Sequence, residues 1–265
     1  MSRLIPFAST TSLRLGGAFA IAAAAVALVA WSLTPPPPST QFDPPSKSLP
    51  IGKRDVQIVA VQMTWKPEDF SSESAYRTRV DGLIQQGLKQ AHRNTPILFV
   101  FPEDIGAPLF FLNHLDDAKK ARTLTEATAA LGKRHMAEVF LRSWFGLVSY
   151  PRAIALTRAA KVGKTYVDTF SSLSRKHAVF IVAGSAPMPD FPIAADGSSI
   201  TYAPESNQVY NVSYFFGPDG RIIGRQHKVN LIPLEQEDGL DLSPGKLEDL
   251  RVFDTEFGSI GIAIC

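Results

Sequence analysis

Three residues far apart in this chain carry groups that could act on one carbonyl carbon: Glu103, Lys228 and Cys265. Glu103 ends Phe101-Pro102-Glu103, Lys228 lies in GRIIGRQHKVNLIPLE, and Cys265 ends GSIGIAIC. A carboxylate, an ammonium and a thiol are what acyl transfer through a thioester requires. A thiol of ordinary pKa is only about 3% thiolate at neutral pH, so it needs a base. A carboxylate within hydrogen-bond reach can take its proton as the sulfur attacks. An ammonium can hold the oxyanion that forms, and removing one such donor costs about 3–4 kcal/mol. Singly, each residue has a plainer reading: a strand-end charge, a surface lysine and a buried structural cysteine.

These groups must be carried by strands and held by helices. Asp55–Met63, DVQIVAVQM, is a near-continuous apolar run, as in a strand buried on both faces. Ser71–Asn94 follows with apolar residues at Tyr76, Val80, Leu83, Ile84, Leu88 and Ala91, one face of a helix with serines at its start. Pro96–Phe101 is a second buried strand, and Pro102-Glu103-Asp104 follows it directly. Strand, helix and strand with short connections predict a parallel crossover unit in an α/β sandwich. Asp116–His177 is helical in pattern, with a break or kink expected at Pro151. Within it, Phe140–Tyr150 is rich in aromatic residues and is expected to pack against the sheet, with a substrate-covering or membrane-facing element as the alternative. Ala178–Ser185 is another buried strand, and Asp190–Asn207 is a loop. Gly217-Pro218-Asp219-Gly220 is a turn joining Gln208–Phe216 to Arg221–His227 as a hairpin. Leu250–Phe253 and Ser259–Cys265 form a last strand pair.

The chain has 265 residues, a net charge of +2, one cysteine and five histidines. It is long enough for one or two domains. With no long basic block, nucleic acid is not expected as a partner. A single cysteine forms no intrachain disulfide, and no Cys/His spacing matches a zinc site. Leu15–Leu33 is an uncharged apolar run about 28 Å long as a helix, close to the hydrocarbon thickness of a bilayer. Arg3 and Arg14 precede it, and the next basic residue is Lys47, so residues 1–14 are expected to be cytoplasmic and the rest extracytoplasmic. A cleavable signal peptide is the rival reading of 15–33; the length of the run favours an uncleaved anchor. The Pro-rich stretch 34–53 is an extended linker, and 54–265 is the folded domain.

Taken together, the motifs resemble the nitrilase superfamily, the carbon–nitrogen hydrolases. The resemblance rests on VAVQM (59–63), on the Pro-Glu pair after an apolar strand, and on Tyr210-Asn211 with the Pro-Asp-Gly turn before Lys228-Val229-Asn230-Leu231. It ends on the Gly-x-Ile-Gly-x-x-Ile-Cys strand, here 258–265, and covers about residues 54–265. It implies a four-layer α-β-β-α sandwich and hydrolysis of a non-peptide amide or nitrile, with no metal or organic cofactor. It also implies Glu103 as general base, Lys228 as oxyanion stabiliser and Cys265 as nucleophile. A second carboxylate often follows the family's lysine; Glu235 is assigned to that role, with Glu237 as the alternative. Self-association is expected, as is common in the family.

The family's fold continues past its cysteine, whereas this sequence stops on it. The sandwich is therefore expected to be incomplete at the carboxyl end, and the 265-residue chain to be a fragment that is inactive alone. Two other functions are carried beside the hydrolase: a membrane N-acyltransferase of the lipoprotein type, and a non-catalytic scaffold with the nitrilase fold.

Overall fold

The computed structural model describes residues 55–92 and 94–265. The expected cytoplasmic segment, anchor and Pro-rich linker lie outside the described residues. Among the described residues no helix is long and apolar enough to cross a membrane.

The fold is mixed α/β. Strands β1 (Gln57–Ala60), β2 (Ile97–Val100) and β3 (Phe180–Val182) pair in parallel. Strand β5 (Tyr210–Phe216) runs antiparallel to β3 and to the short β4 (Ala186–Met188) along one side, and to β6 (Ile222–His227) along the other. Together they make a six-stranded sheet. β7 (Val252–Thr255) and β8 (Gly258–Gly261) form a separate antiparallel pair.

The continuous apolar runs in β2 and β3 follow from burial on both faces. Phe99 and Ile181 point into the main core with Tyr76, Ile84, Tyr166 and Phe170 of the helices. Leu98, Phe180 and Val182 point the other way, onto Phe253, Phe257 and Ile262 of the β7–β8 layer. Alternation along β5 sends Tyr214 and Phe216 to the helical side and Phe215 to the β7–β8 side. By the same alternation Asn211 shares the face of Phe215, between the layers. Edge-to-face rings tie the helical side together, with Phe101 and Phe170 centroids 5.0 Å apart.

The crossover helix is α1 (Glu73–Leu88); Ser72 caps it, its Oγ accepting from Ala75 N at 3.1 Å. Four more helices follow: α2 (Leu115–Lys120), α3 (Leu124–Arg134), α4 (Met136–Gly146) and α5 (Tyr150–His177). Pro151 marks the expected break, between the end of α4 at Gly146 and the start of α5 at Tyr150. It stands in the first turn of α5, where its missing N–H has no intrahelical partner to lose.

Two expectations are corrected. β1 is not buried on both faces: it is the last strand of the sheet, and Ile58 is 64% exposed. A run of apolar residues does not distinguish a central strand from an edge strand. The aromatic stretch at Phe140–Tyr150 does not simply pack on the sheet either. Val139 of α4 is buried against Leu131 and Ile154, while Phe140, Leu141, Trp144 and Phe145 are exposed.

Candidate active site

The end of β2 and the end of β6 bring Glu103 and Lys228 together. Lys228 is buried, and its Nζ lies 2.7 Å from Glu103 Oε1 and 2.7 Å from Glu235 Oε2. Glu235 is held at the end of a 3₁₀ turn, Pro233–Glu235, where its Oε2 also accepts from Ile232 N at 2.9 Å. Glu237, the alternative second carboxylate, is exposed.

Asn211 completes the cluster. Its Nδ2 donates to Glu103 Oε1 and to Glu235 Oε1, each at 3.0 Å, and the residue is fully buried. Its Oδ1 is buried without a hydrogen-bond partner. Sequence reasoning noted Asn211 only as part of a motif and gave it no role. The available signal was a polar residue among the mostly apolar residues of β5.

A buried ammonium loses hydration, which works against its charge. Here the hydrogen bonds accepted by two carboxylates, and their charge, outweigh burial, and the Lys228 pKa is raised. Burial likewise raises the Glu235 carboxyl, but hydrogen bonds from Lys228, Ile232 N–H and Asn211 outweigh it, so its pKa is lowered. Lys228 is therefore a fixed positive charge at neutral pH, suited to hold an oxyanion and unsuited to accept a proton. Both bonds to Glu103 fall on Oε1. Among the described residues Oε2 has no hydrogen bond, so it is the oxygen able to take a proton.

The backbone around Glu103 is shaped by its neighbours. Asp104 adopts φ 58°, and its N–H donates to Ser185 Oγ at 2.9 Å. Gly184 sits opposite at φ 68°, where a Cβ would stand 2.1 Å from the carbonyl oxygen of Pro102. Only glycine allows this approach. The Asp104 carboxyl is pushed up to about 6, first by lost hydration and then by the charges of Glu103 and Glu235, with Lys228 opposing. Asp104 as a whole is exposed, so the crowding falls on the side of its carboxyl that faces the cluster.

Cys265 behaves differently. It is exposed, at φ 78°, rather than at the tip of a buried strand; β8 ends at Gly261 and Ile262 is the last residue packed between the layers. Among the described residues no hydrogen bond joins its Sγ to Glu103 or Lys228. Of the four residues expected to form the site, Lys228 is joined directly to Glu103 and Glu235.

The family model described as carbon-nitrogen hydrolase matches residues 58–265. The omega-amidase NIT3 of Saccharomyces cerevisiae is 30% identical over 111 residues, which are 40% of this chain and 33% of that protein. The probable hydrolase YhcX of Bacillus subtilis is 30% identical over 113 residues, 43% of this chain and 18% of that protein. The crystal structure of Saccharomyces cerevisiae Nit3 aligns with a TM-score of 0.47 and 20% identity, over 81% of this chain and 57% of that one. The matches thus span only part of the relatives' length. With the family model matched across nearly the whole described domain, the chain belongs to the carbon–nitrogen hydrolase family.

Proposed function

We propose that this domain cleaves small amides through a thioester. The observation that carries the reading is the buried Lys228 ammonium held between Glu103 and Glu235, with Oε2 of Glu103 left as an acceptor. In the proposed reaction Cys265 Sγ passes its proton to Glu103 and bonds to the amide carbon. Two of the three Lys228 N–H groups are engaged by carboxylates, and the third stabilises the oxyanion. The C–N bond then breaks as Glu103 returns the proton to the departing amine. Water, deprotonated by Glu103, attacks the thioester; the acid leaves and the thiol is restored. Asn211 and Glu235 keep Lys228 and Glu103 aligned.

The six-stranded sheet with helices on one face and β7–β8 on the other supports the first part of a four-layer α-β-β-α sandwich. The arginines before residues 15–33, and the lack of a basic residue until Lys47, support a membrane-anchored, extracytoplasmic domain. The exposed thiol, with no hydrogen bond to Glu103 or Lys228 among the described residues, supports the expectation that the 265-residue chain does not turn over by itself.

The test is ammonia release from a panel of small amides, by this chain and by a chain extended with a carboxyl-terminal half from a family relative. Release by the extended form, abolished by Glu103→Gln, is the expected result. Release by neither form, or release that survives Glu103→Gln, would contradict the reading. Turnover by the short chain would refute the expected inactivity alone.

A further inference from the structure

An apolar cavity of about 110 Å³ lies among α3, the start of α5 and the loops beside them. Its walls include Phe110, Phe111, Leu131, Ile154, Pro187 and Leu242. Three backbone ties join these walls to the site. Ala107, which also lines the cavity, donates its N–H to Asp104 O at 3.0 Å. Leu242 donates its N–H to Glu235 O at 2.8 Å. Pro187 is the register partner of Asn211, and residues directly opposite in a sheet project to the same face. The cavity wall is therefore one backbone contact away from Asp104, Glu235 and Asn211.

The chemistry of the two compartments differs sharply. The cluster holds two carboxylates and one ammonium. The cavity lining is apolar except for Thr128. A charged or strongly polar group entering it would lose hydration and gain no comparable partner. Apolar cavities of about 150 Å³ stay dry and accept benzene, so a somewhat smaller tail fits this one.

We infer that this cavity receives the acyl tail of the substrate, and that the substrates are amides of short apolar acids rather than of charged or dicarboxylic ones. The inference rests on the amide-cleaving reading above for the identity of the ligand. Ala155, a buried residue of α5 on the cavity wall, provides the handle. Ala155→Leu places three extra carbons in the space, and Leu242→Ala enlarges it.

Acetamide, butanamide and hexanamide are titrated calorimetrically into the 265-residue chain, while ammonia release is followed separately. Affinity should rise about fourfold for each added methylene until the cavity is full. Ala155→Leu should leave hexanamide no tighter than acetamide, with a cooperative thermal transition retained. Leu242→Ala should extend the rise to octanamide, and it tests the inference even if Ala155→Leu fails to fold. A flat series, or a rise that ignores both substitutions, would overturn the inference. Ammonia release with a flat series would leave the amidase reading standing and remove only the tail pocket. A rise without release from any form of the chain would keep the pocket and remove the amidase reading.

Discussion

Lys228 Nζ lies 2.7 Å from Glu103 Oε1, a contact between residues 125 positions apart in the chain. It joins the loop after β2 to the loop after β6, so it closes the site across the width of the sheet. Because the ammonium is buried, the contact is structural as well as chemical. Removing the lysine leaves two facing carboxylates with no counter-charge, and a buried pair broken on one side typically destabilises by about 3–5 kcal/mol. Lys228→Met should therefore lower unfolding free energy by about that amount in urea titration, besides abolishing any turnover. A loss under about 1 kcal/mol would show that the pair is solvated in solution.

Asn211 donates to both carboxylates at once. Hydrogen bonds to charged groups contribute about 1.5–3 kcal/mol each. Asn211→Leu keeps the volume close and removes both, so a loss of at least about 2 kcal/mol in urea titration is expected. Asn211→Asp should be worse, because it places a third carboxylate against two others. Equal stability of the Asp variant and the parent at pH 7 would contradict the assignment of Nδ2 as the bridging donor.

The two perturbed acids should pull stability in opposite directions with pH. The Glu235 pKa is lowered in the folded state, so its contribution is present above its ordinary value near 4.5 and is lost as pH falls through the folded value. The stability gap between parent and Glu235→Gln should shrink on acidification below about 4.5. Asp104 is raised to about 6, so its ionisation disfavours the fold as pH rises from its ordinary value through 6. Asp104→Asn should gain most over the parent at pH 7–8, and that gain should fade toward pH 4. Thermal melts of the three proteins across pH 3.5–8 check both signs.

How much of this was legible beforehand differs from residue to residue. Glu103 and Lys228 could be picked out because each stands beside a strand with a strong local pattern, whereas Glu235 came only from the resemblance to the carbon–nitrogen hydrolases. The hairpin of β5 and β6 was readable from Gly217–Gly220, and α1 from its apolar period and its serine cap. The edge position of β1 was not readable, because Ile58 and Val59 look the same whether or not a neighbour covers them. The short β4 was hidden by Pro187, which argues against a strand unless its neighbours are known. Asn211 and Ser185 act through contacts with residues 108 and 81 positions away, and such distances leave no local trace.

Gly184 offers a further check on how Glu103 is placed. An alanine there would be strained at φ 68° and would collide with the Pro102 carbonyl. Backbone strain of this kind costs about 1–3 kcal/mol, and relief requires moving the chain that carries Glu103. Gly184→Ala should lose stability by at least that much in urea titration, and the perturbed Asp104 titration should move toward its ordinary value in a carboxyl-resolved NMR titration.

The central claim is that the Cys265 sulfur carries the acyl group while Glu103 and Lys228 serve it. The most direct measurement is mass spectrometry of the Cys265 peptide, taken from an amide-cleaving form of the protein quenched with acid during turnover. The account predicts an added acyl mass on Cys265, strongly reduced in Glu103→Gln and in Lys228→Met. Ammonia release with no acyl mass on Cys265, or undiminished release from Cys265→Ala, would contradict it.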